Sequence, residues 1–147
     1  MRVFLLDDDE SLISDFKNLA KKITIIAGKP TTVDVLASRD LASSRQMLFG
    51  KNGEKNELKT IKLCLIDYYL DKGESGITLI EEIRKKNKKI PIVLLTGYDN
   101  SKNAFEAGEL GATTFSLKDD LLLKHDLFNA ENLKLLIEQV LTKSKLV

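Results

Sequence analysis

A chain of 147 residues is long enough for one ordinary domain whose core needs no disulfide or metal support. Hydrophobic residues at 43% against charged residues at 31% describe a soluble globular balance, and a net charge of +1 supplies no field to gather nucleic acid or an anionic membrane. The single cysteine, Cys64, excludes an internal disulfide, and no apolar run reaches signal-peptide length or the ~20 residues of a membrane span, so a cytoplasmic chain is expected.

The first mainly apolar run, residues 3–6, predicts a strand buried on both faces, as in a parallel sheet. Asp7, Asp8, Asp9 and Glu10 follow it. Leu12, Phe16, Leu19, Ala20 and Ile23 then recur at helical spacing, with Asp9 expected at the N-terminus of that helix, where an acid favours the dipole. A less pure run at 33–37 predicts the second strand, and 40–48 a weaker helix. The polar, Gly/Asn/Lys-rich stretch 50–60 reads as a loop or frayed helix extension.

Residues 61–66 predict the third strand, with Cys64 as a small buried residue inside it and Asp67 at its end. Ile77, Ile80 and Ile83 mark a third helix that closes on the Lys-rich segment 84–89, expected to be a solvated helix end like 143–145. Pro91 fits the start of a fourth strand at 92–95, since a missing N–H is tolerated there. Thr96 and Gly97 follow that strand. A weak helix near 101–109, a fifth strand at 112–117 and Lys118 come next. His125 falls in an irregular stretch and is expected to be an exposed loop residue. Leu133, Leu136, Ile137, Val140 and Leu141 form the clearest helical stripe.

Strands alternating with helices imply right-handed crossovers and a doubly wound α/β fold. In such a sheet ligands bind outside the carboxyl ends of the strands. The strands deliver Asp7 and Asp8, Asp67, Thr96 and Lys118 to that edge. Crowded carboxylates repel unless neutralised, and a hard divalent cation such as Mg²⁺ does that while keeping room for a phosphate oxygen. The set suits phosphoryl transfer. An ionised Asp67 is the nucleophile, and the metal, the Lys118 ammonium and the Thr96 hydroxyl take the equatorial oxygens.

The runs VFLLDDDES, LCLIDYYLDKGESG, PIVLLTG and AGELGATTFSLK resemble, in order, the receiver domain of response regulators, over essentially the whole chain. The resemblance implies a flavodoxin-like, five-stranded parallel sheet of order 2-1-3-4-5, with residues 1–147 forming a receiver domain of single-domain type and no output domain. It implies Asp8 as direct Mg²⁺ ligand, Asp7 acting through water, the Tyr69 carbonyl as a further metal ligand, and Asp67 as phosphoacceptor. It further implies Thr96 as switch hydroxyl, Lys118 as phosphate-binding lysine and Phe115 as the aromatic whose rotamer reports the switch. A histidine kinase or phosphotransfer protein would supply the phosphoryl group. The surface of the fourth helix, fifth strand and fifth helix would then change its affinity for a downstream protein or a second copy of the chain. Such a domain catalyses its own phosphorylation and dephosphorylation but turns over no metabolite.

The chain departs from the family pattern in the long 50–60 segment and in Asp119, which stands where a proline usually follows the lysine; a cis Lys118–Asp119 bond is the weakly favoured expectation. Tyr69 and Tyr98 stand two residues beyond Asp67 and Thr96, where bulky rings would obstruct the hydrolytic water and slow self-dephosphorylation. Two rival readings exist. A haloacid-dehalogenase-like phosphatase would use Asp7, Asp9, Thr96 and Lys118, but Ser11 stands where Thr or Val is normal, no later Gly-Asp strand end appears, and Asp67 is left unexplained. A receiver-like binding module that does not switch would have no use for the complete set of residue types.

Overall fold

The computed structural model describes residues 1–50, 57–96, 114–117 and 126–146. Its elements in chain order are β1 (Arg2–Leu6), α1 (Glu10–Lys21), β2 (Ile25–Ile26), β3 (Lys29–Pro30), β4 (Asp34–Ser38) and α2 (Leu41–Phe49). After these come β5 (Ile61–Asp67), α3 (Gly76–Lys86), β6 (Ile92–Thr96), β7 (Thr114–Leu117) and the C-terminal helix α4 (Asp126–Leu146). Short 3₁₀ turns at Leu58–Thr60 and Asp71–Gly73 flank β5.

The main sheet has five strands in the order β4-β1-β5-β6-β7, and every pairing in it is parallel. This is the expected 2-1-3-4-5 order, because β2 and β3 form a separate antiparallel pair. Successive side chains of a strand point to opposite faces, so β1, β5 and β6 each feed two cores. Val3, Leu5, Leu63, Leu65, Val93 and Leu95 pack with Phe16, Leu19 and Ala20 of α1 and Leu133, Ile137 and Val140 of α4. Phe4, Leu6, Cys64, Ile66, Ile92 and Leu94 pack with Leu41 and Leu48 of α2 and Leu79, Ile80 and Ile83 of α3. Burying each such Leu or Ile contributes about 1.5–3 kcal/mol relative to exposure. Burial pushes the Cys64 thiol up to about 12, which makes it an inert core residue, as expected.

The helix boundaries follow from capping. Asp9 caps α1 by accepting from the backbone N–H groups of Ser11 and Leu12, Asp40 caps α2 through Ser43, and Ser75 caps α3 through Ile77. Lys85 and Lys86 at the end of α3, and Lys88 and Lys89 beyond it, are exposed, as expected of a solvated helix end. Arg45 of α2 and Glu82 of α3 pair across the surface at 2.9 Å.

The β2–β3 hairpin is absent from the sequence reading. Ile25 pairs with Pro30 and Ile26 with Lys29 across the two-residue loop Ala27-Gly28. Both loop residues have positive φ, 50° and 77°, the backbone of a type I′ hairpin turn. The hairpin docks on the C-terminal helix: the Ala27 N–H donates to Glu138 Oε2 at 2.6 Å. Part of the 50–60 segment is also fixed, since Glu57 donates its N–H to the Met47 carbonyl and pairs with Arg2.

Candidate functional site

β1 and β5 are neighbours in parallel register, with Leu6 opposite Ile66. One residue further along each strand come Asp7 and Asp67. The Asp7 N–H donates to the Ser38 carbonyl at the end of β4 (3.1 Å), and the Tyr68 N–H donates to the Leu95 carbonyl in β6 (3.0 Å), so the backbone on both sides of the acidic residues is tied to a neighbouring strand. The Asp9 N–H donates to Asp7 Oδ1 at 2.9 Å, which turns the chain from the strand into α1.

The carboxylates of Asp7, Asp8 and Asp67 offer oxygens that all lie within 4.8 Å of one another. Asp7 and Asp67 are buried and Asp8 is half-buried. Three acids held this close, two of them out of water, suit a hard divalent cation with oxygen ligands. Burial first, then the hydrogen-bonded Asp71 carboxyl and its charge, then the Asp7 charge, hold the Asp8 carboxyl above the usual carboxylate range, while its own backbone N–H pulls the other way. The Arg39 guanidinium approaches the Asp8 carbonyl at 3.4 Å.

The backbone of the β5–α3 loop is closed by its own bonds. Tyr69 bridges to Ser75, the Leu70 N–H donates to the Glu74 carbonyl at 3.1 Å, and the Gly76 N–H to the Tyr68 carbonyl at 3.0 Å. Tyr69 follows the cluster directly, is 54% exposed, and meets Tyr68 edge-on at 4.5 Å between ring centroids.

The structure therefore brings Asp7, Asp8 and Asp67 together, and Tyr69 stands two residues along the chain from Asp67. Thr96 ends β6, one residue beyond Leu95, the register partner of Asp67. Its own partner is Leu117, after which Lys118 follows, so β6 and β7 end along the same edge. Phe115 lies in β7 opposite Leu94. The side chains of Thr96 and Phe115, and Gly97, Tyr98, Lys118, Asp119, His125 and the predicted 101–109 helix, lie outside the described residues. Asp71 was missed by sequence reasoning. In DYYLDKGESG it looks like a turn acid, and only the loop geometry brings it to Asp8.

A doubly wound parallel sheet with a carboxylate cluster at its C-terminal edge defines an α/β protein whose grouped acids suit a divalent cation. The model of the response regulator receiver domain matches residues 3–124, and the chain belongs to that family. Over 95 residues it is 34% identical to the transcriptional regulatory protein RprY of Bacteroides fragilis (strain YCH46), covering 64% of this chain and 36% of that protein. A receiver domain protein from Clostridium thermocellum superposes with a TM-score of 0.70 at 20% identity, covering 99% of this chain and 97% of the other. NtrX from Brucella abortus superposes with a TM-score of 0.71 at 21% identity, covering 99% of this chain and 28% of that one. The chain thus spans about a third of the length of RprY and of NtrX. Receiver domains bind Mg²⁺ at an acidic pocket, and the Asp7–Asp8–Asp67 donor set fits such an ion. Asp67, which the phosphatase reading left without a role, is a member of the cluster. Among the described residues no helix is long and apolar enough to cross a membrane.

Proposed function

We propose that this chain is a phosphorylatable receiver domain of a two-component or phosphorelay system, accepting a phosphoryl group on Asp67. The convergence of Asp7, Asp8 and Asp67 within 4.8 Å at the sheet edge carries this reading. Asp8 and Asp67 would hold Mg²⁺ directly with the Tyr69 carbonyl, and Asp7 through water. The ion supplies charge neutralisation for the incoming phosphoryl oxygens. An Asp67 carboxylate oxygen attacks phosphorus, and an acyl-phosphate P–O bond forms. The bond to the donor breaks at the same centre, and the leaving imidazole or carboxylate carries the electron pair away. Lys118 and Thr96 bind the equatorial oxygens, and hydrolysis by water returns free Asp67 and inorganic phosphate.

The donor is a histidine kinase or phosphotransfer protein. Phosphate on Asp67 draws the Thr96 hydroxyl inward, with Phe115 following, and favours an active conformer of the surface formed by the fourth predicted helix, β7 and α4. That surface meets a downstream protein or a second copy of this chain. Residues 1–147 act as the receiver unit, and a net charge of +1 supplies no overall field to gather nucleic acid. Intact mass after incubation with acetyl phosphate or phosphoramidate and Mg²⁺ tests the core of the proposal. One phosphoryl group gained by wild type and none by Asp67→Asn supports it, and no gain by wild type, or an equal gain by both, refutes it.

A further inference from the structure

Helices α2 and α3 pack on the same face of the sheet and leave a groove of about 470 Å³ between their C-terminal halves, lined by Arg45, Phe49, Glu82, Lys85 and Lys86 among others. A second depression of about 220 Å³ adjoins it, sharing Phe49 and Lys86 and adding Leu48, Leu58 and Lys59. Phe49 is half-buried against the core and gives both an apolar wall. The long side chains around it add their carbon stems while their charged ends reach water, so the lining is mainly apolar and the rim is charged. Arg45 Nε donates to both Glu82 carboxylate oxygens, at 3.0 and 2.9 Å, which ties α2 to α3 where both line the groove. The α3 helix starts against Asp67 at Gly76 and ends at Lys86. At 1.5 Å per residue that sets the groove about 15 Å from the acidic cluster, outside the roles set out above.

The charge around the groove is one-sided. Among the described residues that line it, Arg45, Lys59, Lys85 and Lys86 are cations and Glu82 is an anion that Arg45 already neutralises. Lys59, Lys85 and Lys86 are exposed, and no ion pair among the described residues engages them. The C-terminal ends of α2 and α3 return about half a negative charge each, too little to cancel three ammonium groups. Lys88 and Lys89, exposed just beyond α3, add to the same side. We propose that this groove docks a partner protein through an acidic segment that carries apolar side chains: a Leu or Phe packs on Phe49, and flanking Asp or Glu residues meet Lys59, Lys85 and Lys86. A concave apolar slot beside Phe49 suits a protruding side chain, which a nucleic-acid backbone does not present and a flat membrane surface cannot insert. An amphipathic segment laid between two helices supplies both the anchor and the charge.

The test titrates the full chain with three fluorescein-labelled probes: a short blocked peptide of Glu, Leu and Phe, the same peptide with Lys in place of Glu, and single-stranded oligothymidylate. Anisotropy gives the affinity and amide chemical shifts give the place. The Glu peptide is expected to bind, to weaken as salt is added, and to shift the amides of α2 and the second half of α3. Phe49→Ala, which removes the anchor wall, is expected to weaken it about tenfold, and so is the double variant Lys85→Glu, Lys86→Glu. The two lysines are exposed, so the double variant keeps the wild-type melting temperature and decides the matter even where Phe49→Ala loosens the core. No binding of the Glu peptide, equal binding of the Lys peptide, shifts confined to other elements, or unchanged affinity in the double variant overturns the proposal. Tighter binding of the oligothymidylate overturns it as well, by making nucleic acid the occupant.

Discussion

The α-carbon of Gly76 packs against the backbone carbonyl of Asp67: a Cβ at Gly76 would stand 1.9 Å from that oxygen and 2.6 Å from Ile66 Cγ2. The requirement for glycine here is close approach, which lets α3 start directly against the end of β5. Gly76→Ala must push the Asp67 backbone or the helix aside. It is expected to lower stability by about 1–3 kcal/mol, the cost of overpacking a tight site, and to weaken Mg²⁺ binding because Asp67 moves. A urea midpoint and a metal titration check both, and a wild-type midpoint would contradict the account.

Ala27 occupies a left-handed conformation, φ 50°, at the first position of the hairpin turn. An L-residue with a Cβ is penalised there by roughly 1–2 kcal/mol, and glycine is not. Ala27→Gly is expected to raise the melting temperature, with a gain of about 0.5–1 kcal/mol after the added freedom of the unfolded chain is subtracted. Ala27→Asn should gain as well, since Asn tolerates this region. Thermal unfolding decides, and a lower melting temperature in both variants would show that the turn is not strained.

Asp40 accepts from the Ser43 N–H at 2.6 Å, and this backbone bond first, then the Ser43 side chain, holds its carboxyl below the usual value of 3.8. A folded value below the unfolded one stabilises the protein above pH 3.8, and that gain is lost as pH falls through the folded value. Asp40→Ala is expected to cost about 1 kcal/mol near neutrality, as for other lost N-caps. The difference from wild type should shrink as pH drops below 3.8. Urea unfolding across that range measures it, and a difference that holds constant or grows in acid would count against the cap.

Tyr69, two residues beyond Asp67, is 54% exposed. If its ring and that of Tyr98 screen the phosphoryl group from water, the double variant Tyr69→Asn, Tyr98→Asn will lose phosphate from Asp67 faster than wild type. Decay of the phosphorylated mass after removal of the donor reads this directly. Equal lifetimes would end the idea.

The sheet was legible because its central strands β1, β5 and β6 are buried on both faces, so runs such as VFLL, LCLI and IVLL stand out as apolar segments. The acids at their ends then follow from strand order alone, since adjacent parallel strands must deliver Asp7 and Asp67 to one edge. The hairpin was hidden for two reasons. Its strands are two residues long, too short for any period to show. Its turn carries Ala27 where Asn or Asp would have announced a type I′ loop; only Gly28 hinted at it. Asp71 was hidden because its partner, Asp8, lies across the sheet edge and nothing local marks a loop acid that will fold back. The 50–60 stretch looked uniformly polar, yet Leu58 is buried and Glu57 reaches both Met47 and Arg2.

The bond from the Ala27 N–H to Glu138 ties an early turn to the last helix across 111 positions of chain. Closing so long a loop carries an entropy cost that local contacts do not, and the sheet contacts between the two bear part of it. Once made, it is a tether on the last helix, and any tilt of that helix away from the hairpin must stretch or break it. The hairpin thus gives the helix a mechanical anchor supplied from the first quarter of the chain.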